Sequence, residues 1–204
     1  MKHLKTLFVF MLTLLLGIGQ MWATLPTNPT WEAKALADIA DGSTIIIISN
    51  STTATNIALP AAGAGTSNPP KKACTVSTTS GVTTITPPSG TTLQDLAWTL
   101  KKKTSTWQFF VEGSTTNCLY LTGLSSNTAV RVGAGSSNNE FTMGSAGKLL
   151  KVSTGNRFVG PNDNNGTDWR SYNSETGTNY KGAQLTFYVL RAAEPTDFLA
   201  SVLV

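Results

Sequence analysis

The chain has 204 residues, 40% of them hydrophobic and only 13% charged, with 15 Lys and Arg against 11 Asp and Glu. Charge is about half as frequent as in an ordinary soluble protein, which excludes charge-driven disorder and a coiled coil. The length suits one domain, and the formal charge of +4 falls to about +2 without Lys2 and Lys5, which lie in a segment expected to be removed, too small for a nucleic-acid footprint by charge alone.

Lys2, His3 and Lys5 precede an apolar run from Leu7 to Ile18, which small residues and Met21-Trp22-Ala23 bring to an end. A run of about 12 residues is too short to span a membrane, which needs about 20, and the pattern over residues 1–23 is that of a secretory signal peptide. The chain is therefore expected outside the cytoplasm: extracellular, at the cell surface or in the periplasm. No later stretch is apolar enough for a membrane span. His3 is the one histidine of the sequence. Its removal with the signal excludes Ser-His-Asp and Cys-His nucleophiles and His-bound zinc. The protein is expected not to be an enzyme, and to need neither cofactor nor metal.

Residues 24–40 read as a leader with a short helical turn, since Trp31, Ala35, Leu36 and Ile39 fall on one helical face. Asp41-Gly42 then marks a turn. Ile45 to Ile48 is the strongest strand signal in the chain, and four β-branched residues in a row predict burial on both faces. Residues 49–92 are poor in large apolar side chains. Within them Cys74-Thr75-Val76 and Val82 to Thr86 form a hairpin through Ser80-Gly81. Strands are expected next at Ala97–Leu100, Trp107–Glu112, Cys118–Thr122, Ala129–Val132, Glu140–Met143 and Leu149–Ser153. Arg157–Val159, Asp168–Tyr172 and Leu185–Leu190 follow. The lone basic run, Lys101 to Lys103, reads as a solvated strand end.

Short strands at this spacing predict an all-β domain over residues 41–190, a single antiparallel barrel or sandwich. A faint echo sets a β-trefoil-like fold beside it as the alternative. Trp107 to Val111 followed by Leu119-Tyr120-Leu121 resembles Leu149 to Val152 followed by Arg157-Phe158-Val159. Residues 191–204 read as a Pro-containing linker followed by an apolar heptamer, Phe198 to Val204, outside the domain.

The segments DGSTIIIIS, WTLKKKTSTWQFFVEG, CLYLTG, GNRFVGPND, DWRSYNS and LTFYVL together resemble an uncharacterised β-rich module of secreted and surface proteins of Bacteroidetes. The resemblance covers about Asp41 to Leu190. It implies an accessory, non-catalytic part beside other extracellular domains, with no active site to carry over.

Four groups of residues bear on chemistry. Cys74 and Cys118, the only cysteines, are either a disulfide, as an exported protein permits, or two buried thiols. The loop Asn162 to Asp168 offers oxygen ligands for calcium, but Pro161 stands where an EF-hand needs its first Asp, and Asn165-Gly166 makes a type I′ turn by itself. Carboxylate pairs for glycoside hydrolysis, such as Asp163 with Asp168 or Glu140 with Glu175, are not singled out by any spacing. Trp169, Tyr172 and Tyr180 flank polar loops together with Arg157 and Arg170, and that grouping suits a sugar-stacking platform. Trp98, Trp107, Tyr120, Phe141 and Phe187 are expected in the core.

The functional expectation is a secreted, non-catalytic β-module binding a glycan or a surface protein. A purely structural spacer of a larger extracellular protein is the alternative, and a carboxylate-dependent hydrolase ranks last.

Overall fold

The computed structural model describes residues 24–62 and 65–192. These residues form strands joined by turns and three short 3-10 segments, with no α-helix among them. The fold is all-β. None of the described helices is long and apolar enough to cross a membrane.

The strands make one antiparallel sheet that does not close into a barrel, in a sandwich-like arrangement. Its connectivity repeats three times. In the first unit β2 (Thr44–Asn50) pairs with β3 (Ile57–Ala58), which pairs with β4 (Lys72–Ala73), and β7 (Ala97–Lys102) returns to β2. In the second, β8 (Trp107–Val111) pairs with β9 (Cys118–Leu121), β9 with β10 (Val130–Gly133), and β11 (Phe141–Met143) returns to β8. In the third, β12 (Leu150–Val152), β13 (Phe158–Pro161) and β14 (Trp169–Tyr172) repeat the order, followed by β15 (Gln184–Leu190). Each unit joins the next through its fourth strand, by the β7–β8, β11–β12 and β15–β2 ladders. This is the strand plan of a β-trefoil with one seam left open. At that seam, between β12 and β15, a single backbone bond runs from Leu185 N to Lys148 O at 2.9 Å.

Two additions extend the plan. β1 (Trp31–Lys34) lies along β15, and the hairpin of β5 (Thr75–Thr79) and β6 (Val82–Thr86) is inserted between β4 and β7. The hairpin turns through Ser80 and Gly81, both with positive φ, the geometry that matches strand twist in a two-residue loop. β6 touches β1 at the Trp31–Thr83 pair, so hairpin and β1 continue the sheet beyond β15.

β2 is buried on both faces, as four consecutive isoleucines require. Ile45 and Ile47 enter the main core with Trp98, Phe109, Phe141 and Phe187, whereas Ile46 and Ile48 enter a second core with Trp31, Cys74 and Ile85. In the main core Phe109 sits 5.9 Å from Phe141 and 6.4 Å from Phe187, ring centre to ring centre.

Three expectations are corrected. Trp31–Lys34 is a strand and not the start of a helix, because pairing with β15 from Trp31–Leu190 to Lys34–Phe187 satisfies its backbone; only Leu36–Asp38 makes a helical turn. The domain consequently begins at β1, ahead of Asp41. Asn165 takes a left-handed conformation but Gly166 does not, so the turn there is not type I′. The Asn162 side chain fills the place a Cβ at residue 166 would occupy. The expected signal segment, residues 1–23, and the apolar heptamer, residues 198–204, lie outside the described residues.

Candidate functional site

The residues expected to form a sugar platform do not reach the surface together. Trp169 is fully buried in the main core, with its indole Nε1 donating to Ala58 O at 3.1 Å. Tyr172 packs edge-on against Tyr180, their ring centres 4.9 Å apart, in a small apolar cluster with Leu149, Phe158 and Ala183. Burial raises the pKa of both phenols. Arg157 is buried as well, its Nη2 donating to Asn127 Oδ1 at 2.8 Å and to Ser171 O at 2.9 Å, and desolvation lowers its pKa. Arg170 is partly exposed, but its Nε is engaged by Asp168 at 3.0 Å. The polar neighbours of this hairpin bond inward, to the loops packed over it. Polarity around these aromatics therefore marks an internal network and not an open face.

The Asn-rich loop belongs to the same network. Lys71 Nζ donates to Asn162 O at 2.9 Å and to Asp163 Oδ1 at 3.1 Å, and the Asp163 side chain is 1% exposed. The chain thus places its own ammonium among the loop's oxygens. Asp168 is held on its other side by Asn68 Nδ2 at 3.1 Å, and Asn68 Oδ1 accepts from Arg131 Nη1 at 2.6 Å. Asp163 and Asp168 are thus each matched with a different cation.

Glu140 and Glu175 are engaged separately too. The Glu175 carboxylate accepts three backbone N–H groups, from Ala146, Lys148 and Leu149, at 2.7, 2.9 and 3.0 Å, and so fixes the turn before β12. Glu140 Oε2 accepts from the Thr106 hydroxyl at 2.8 Å.

The cysteines are free, which overturns the bridged alternative. Cys74 lies in the second core and Cys118 on β9, where its thiol donates to Gly135 O at 3.4 Å. Desolvation pushes the Cys74 thiol up to about 11 and raises Cys118. A thiol with a raised pKa is protonated at pH 8 and a poor nucleophile. Folded protein is therefore expected to show no fast reaction with a disulfide reagent at pH 8, and two thiols once unfolded in urea. Fewer than two after unfolding without reductant would restore the bridge.

A groove of about 250 Å³ opens instead on the outer face of the β2–β7–β8 segment. Alternation builds it. Trp98 and Leu100 on β7, and Phe109 on β8, point into the main core, which turns Thr99, Lys101 and Phe110 outward. Thr44, Thr99 and Phe110 lie side by side across the three strands through the Thr44–Thr99 and Thr99–Phe110 register pairs. Phe110 is half-buried, and Lys101 Nζ sits 5.9 Å from its ring centre. Glu112, buried at the far end, accepts the Thr99 hydroxyl at 2.8 Å. Asp41 accepts the backbone N–H of Lys102 at 2.6 Å. Gly113, at φ +79°, turns the chain so that Ser114 and Thr115 complete the rim.

Such a surface can stack a ring on Phe110 and meet its edge with hydroxyl, carboxylate and ammonium groups. Sequence reading missed it because Phe109 and Phe110 are adjacent and were equally apolar. The signal was present in Trp-Gln-Phe-Phe-Val, where alternation leaves Phe110 as the one apolar side chain on the polar face.

No protein-family model and no curated protein matches the sequence. Among solved structures the chain is similar over 78% of its length to a chain in the structure of a mosquitocidal holotoxin, at 12% identity and a TM-score of 0.47. It spans 18% of that toxin chain.

Proposed function

We propose that the chain is a secreted, non-catalytic β-module that binds a glycan or a glycan-bearing surface partner through the Phe110 groove. The observation that carries this reading is the partly exposed Phe110 ring framed by the hydroxyl side chains of Thr44, Thr99, Ser114 and Thr115. A pyranose has the matching surfaces, an apolar face for the ring and a rim of hydroxyls for the polar groups. The signal-like segment at residues 1–23 supports export, and the resemblance to accessory modules agrees with a binding role.

Asp41 and Glu112 both line the groove, which is the residue type glycoside hydrolysis needs. Each already accepts a hydrogen bond that fixes neighbouring backbone or side chain, which favours a structural part in the groove over acid–base work.

The test is a glycan array followed by titration calorimetry on the best ligand. Phe110→Ala is expected to weaken binding about ten-fold or more, the loss of one stacking contact, with an unchanged circular dichroism spectrum. Binding that survives Phe110→Ala would move the site elsewhere. A blank array would leave the spacer role, and release of reducing ends from a bound glycan would replace binding by hydrolysis.

A further inference from the structure

We infer that the ligand of this groove is an acidic saccharide, its ring on Phe110 and its carboxylate or sulfate on Lys101. The inference rests on the glycan reading above and narrows it to one chemical class.

Charge is distributed along the groove by register. Lys101 stands opposite Gln108, Thr99 opposite Phe110, and the next step along the two strands brings Ala97 to Glu112, whose N–H donates to Ala97 O. Lys101 and Glu112 are therefore at opposite ends, with Phe110 between them. A ring seated on Phe110 would meet the Lys101 ammonium, which stands over the aromatic ring 5.9 Å from its centre, and would have a carboxylate, already holding the Thr99 hydroxyl, beyond the opposite end.

The ammonium end is open. Lys102 and Lys103 follow Lys101, all three are exposed, and among the described residues none of them is in a salt bridge. Their backbone is pinned, since Lys102 N donates to Asp41 Oδ1 and Lys103 N to Thr106 O at 2.8 Å. Two carboxylates are linked to the run, Asp41 through the Lys102 backbone N–H and Glu140 through Thr106. The first is engaged by a backbone N–H and the second by a hydroxyl, so no ammonium of the run is neutralised by contact. Of the three lysines only Lys101 lines the groove, because alternation turns Lys102, the next residue of the strand, to the other face; one exposed ammonium without an ion pair beside a stacking ring suits an anionic ring substituent. The Lys101 ammonium lies close enough to the Phe110 ring for one sugar to reach both.

Affinity electrophoresis of the protein through gels holding dextran, dextran sulfate or polygalacturonate tests this. Dextran and its sulfate share one backbone, so their difference isolates the anion, and polygalacturonate separates carboxylate from sulfate. Retardation is expected with at least one of the two acidic polymers and not with dextran, weakening as NaCl rises from about 50 to about 500 mM. Lys101→Ala is expected to weaken it up to about five-fold, as an exposed ion pair does, while Lys101→Arg and Lys34→Ala leave it unchanged. Phe110→Ala should weaken it about ten-fold or more, as for any ligand stacked on that ring.

Retardation by acidic polymer that Phe110→Ala leaves intact would overturn the proposal, because lysine charge alone would explain it. Equal binding of neutral dextran, insensitive to Lys101→Ala but lost in Phe110→Ala, would overturn the acidic class and leave the glycan reading standing. No retardation by either acidic polymer would also overturn it. A blank glycan array beside that result would remove both readings.

Discussion

Trp169→Ala is expected to lower the free energy of unfolding by about 3–5 kcal/mol, the usual cost of emptying a large aromatic site in a core. Trp169 has no exposed surface, and its indole N–H is bonded to Ala58 O, so the substitution opens a cavity and leaves a buried carbonyl without its donor. Urea denaturation followed by intrinsic fluorescence measures the effect, with the remaining tryptophans as reporters. A loss below about 1 kcal/mol would mean that the side chain packs at the surface after all, as a ligand platform requires.

Lys71→Ala is the second large effect, also about 3–5 kcal/mol, because it leaves the Asp163 carboxylate buried without a cation. The pair ties the segment before β4 to the loop after β13, and the Asp163 side chain is 1% exposed. Removing both charges, in Lys71→Met with Asp163→Leu, should recover most of the loss, since apolar groups of similar size replace a buried pair at little cost. Thermal melts of the two single variants and the double variant form the cycle that checks it. A double variant no more stable than Lys71→Ala would assign the loss to packing of the lysine stem instead.

Strands announced themselves where a β-branched run or alternation met a clear turn. Ile45 to Ile48, the Ser80-Gly81 hairpin and Leu185 to Leu190 all fall where their residues suggest. The threefold plan was visible only in part. Its second and third units echo one another at Trp107 and Leu149, but the hairpin inserted between β4 and β7 lengthens the first unit and hides its kinship. Trp31 misled because its spacing to Ala35, Leu36 and Ile39 also fits a strand followed by one 3-10 turn, and only a partner 150 or so residues away decides between them. The aromatics near Arg157 and Arg170 misled for a different reason. A polar neighbour in sequence shows that a hydrogen bond is available, and the direction of that bond, outward to a ligand or inward to a loop, depends on packing from distant segments such as Pro69 and Asn127.

The pairing of β2 with β15 sets a schedule for the ribosome. Ile46 is covered on one side by Tyr188, a residue synthesised roughly 140 positions later, which at about 5–20 residues per second is a delay of roughly 7–28 s. Over that interval the most apolar strand of the chain is complete and lacks its closing neighbour, and a run of four isoleucines without charge is a site for intermolecular strand pairing. Any change that shortens the interval between β2 and β15 should raise the yield of soluble protein before it alters the stability of the finished fold.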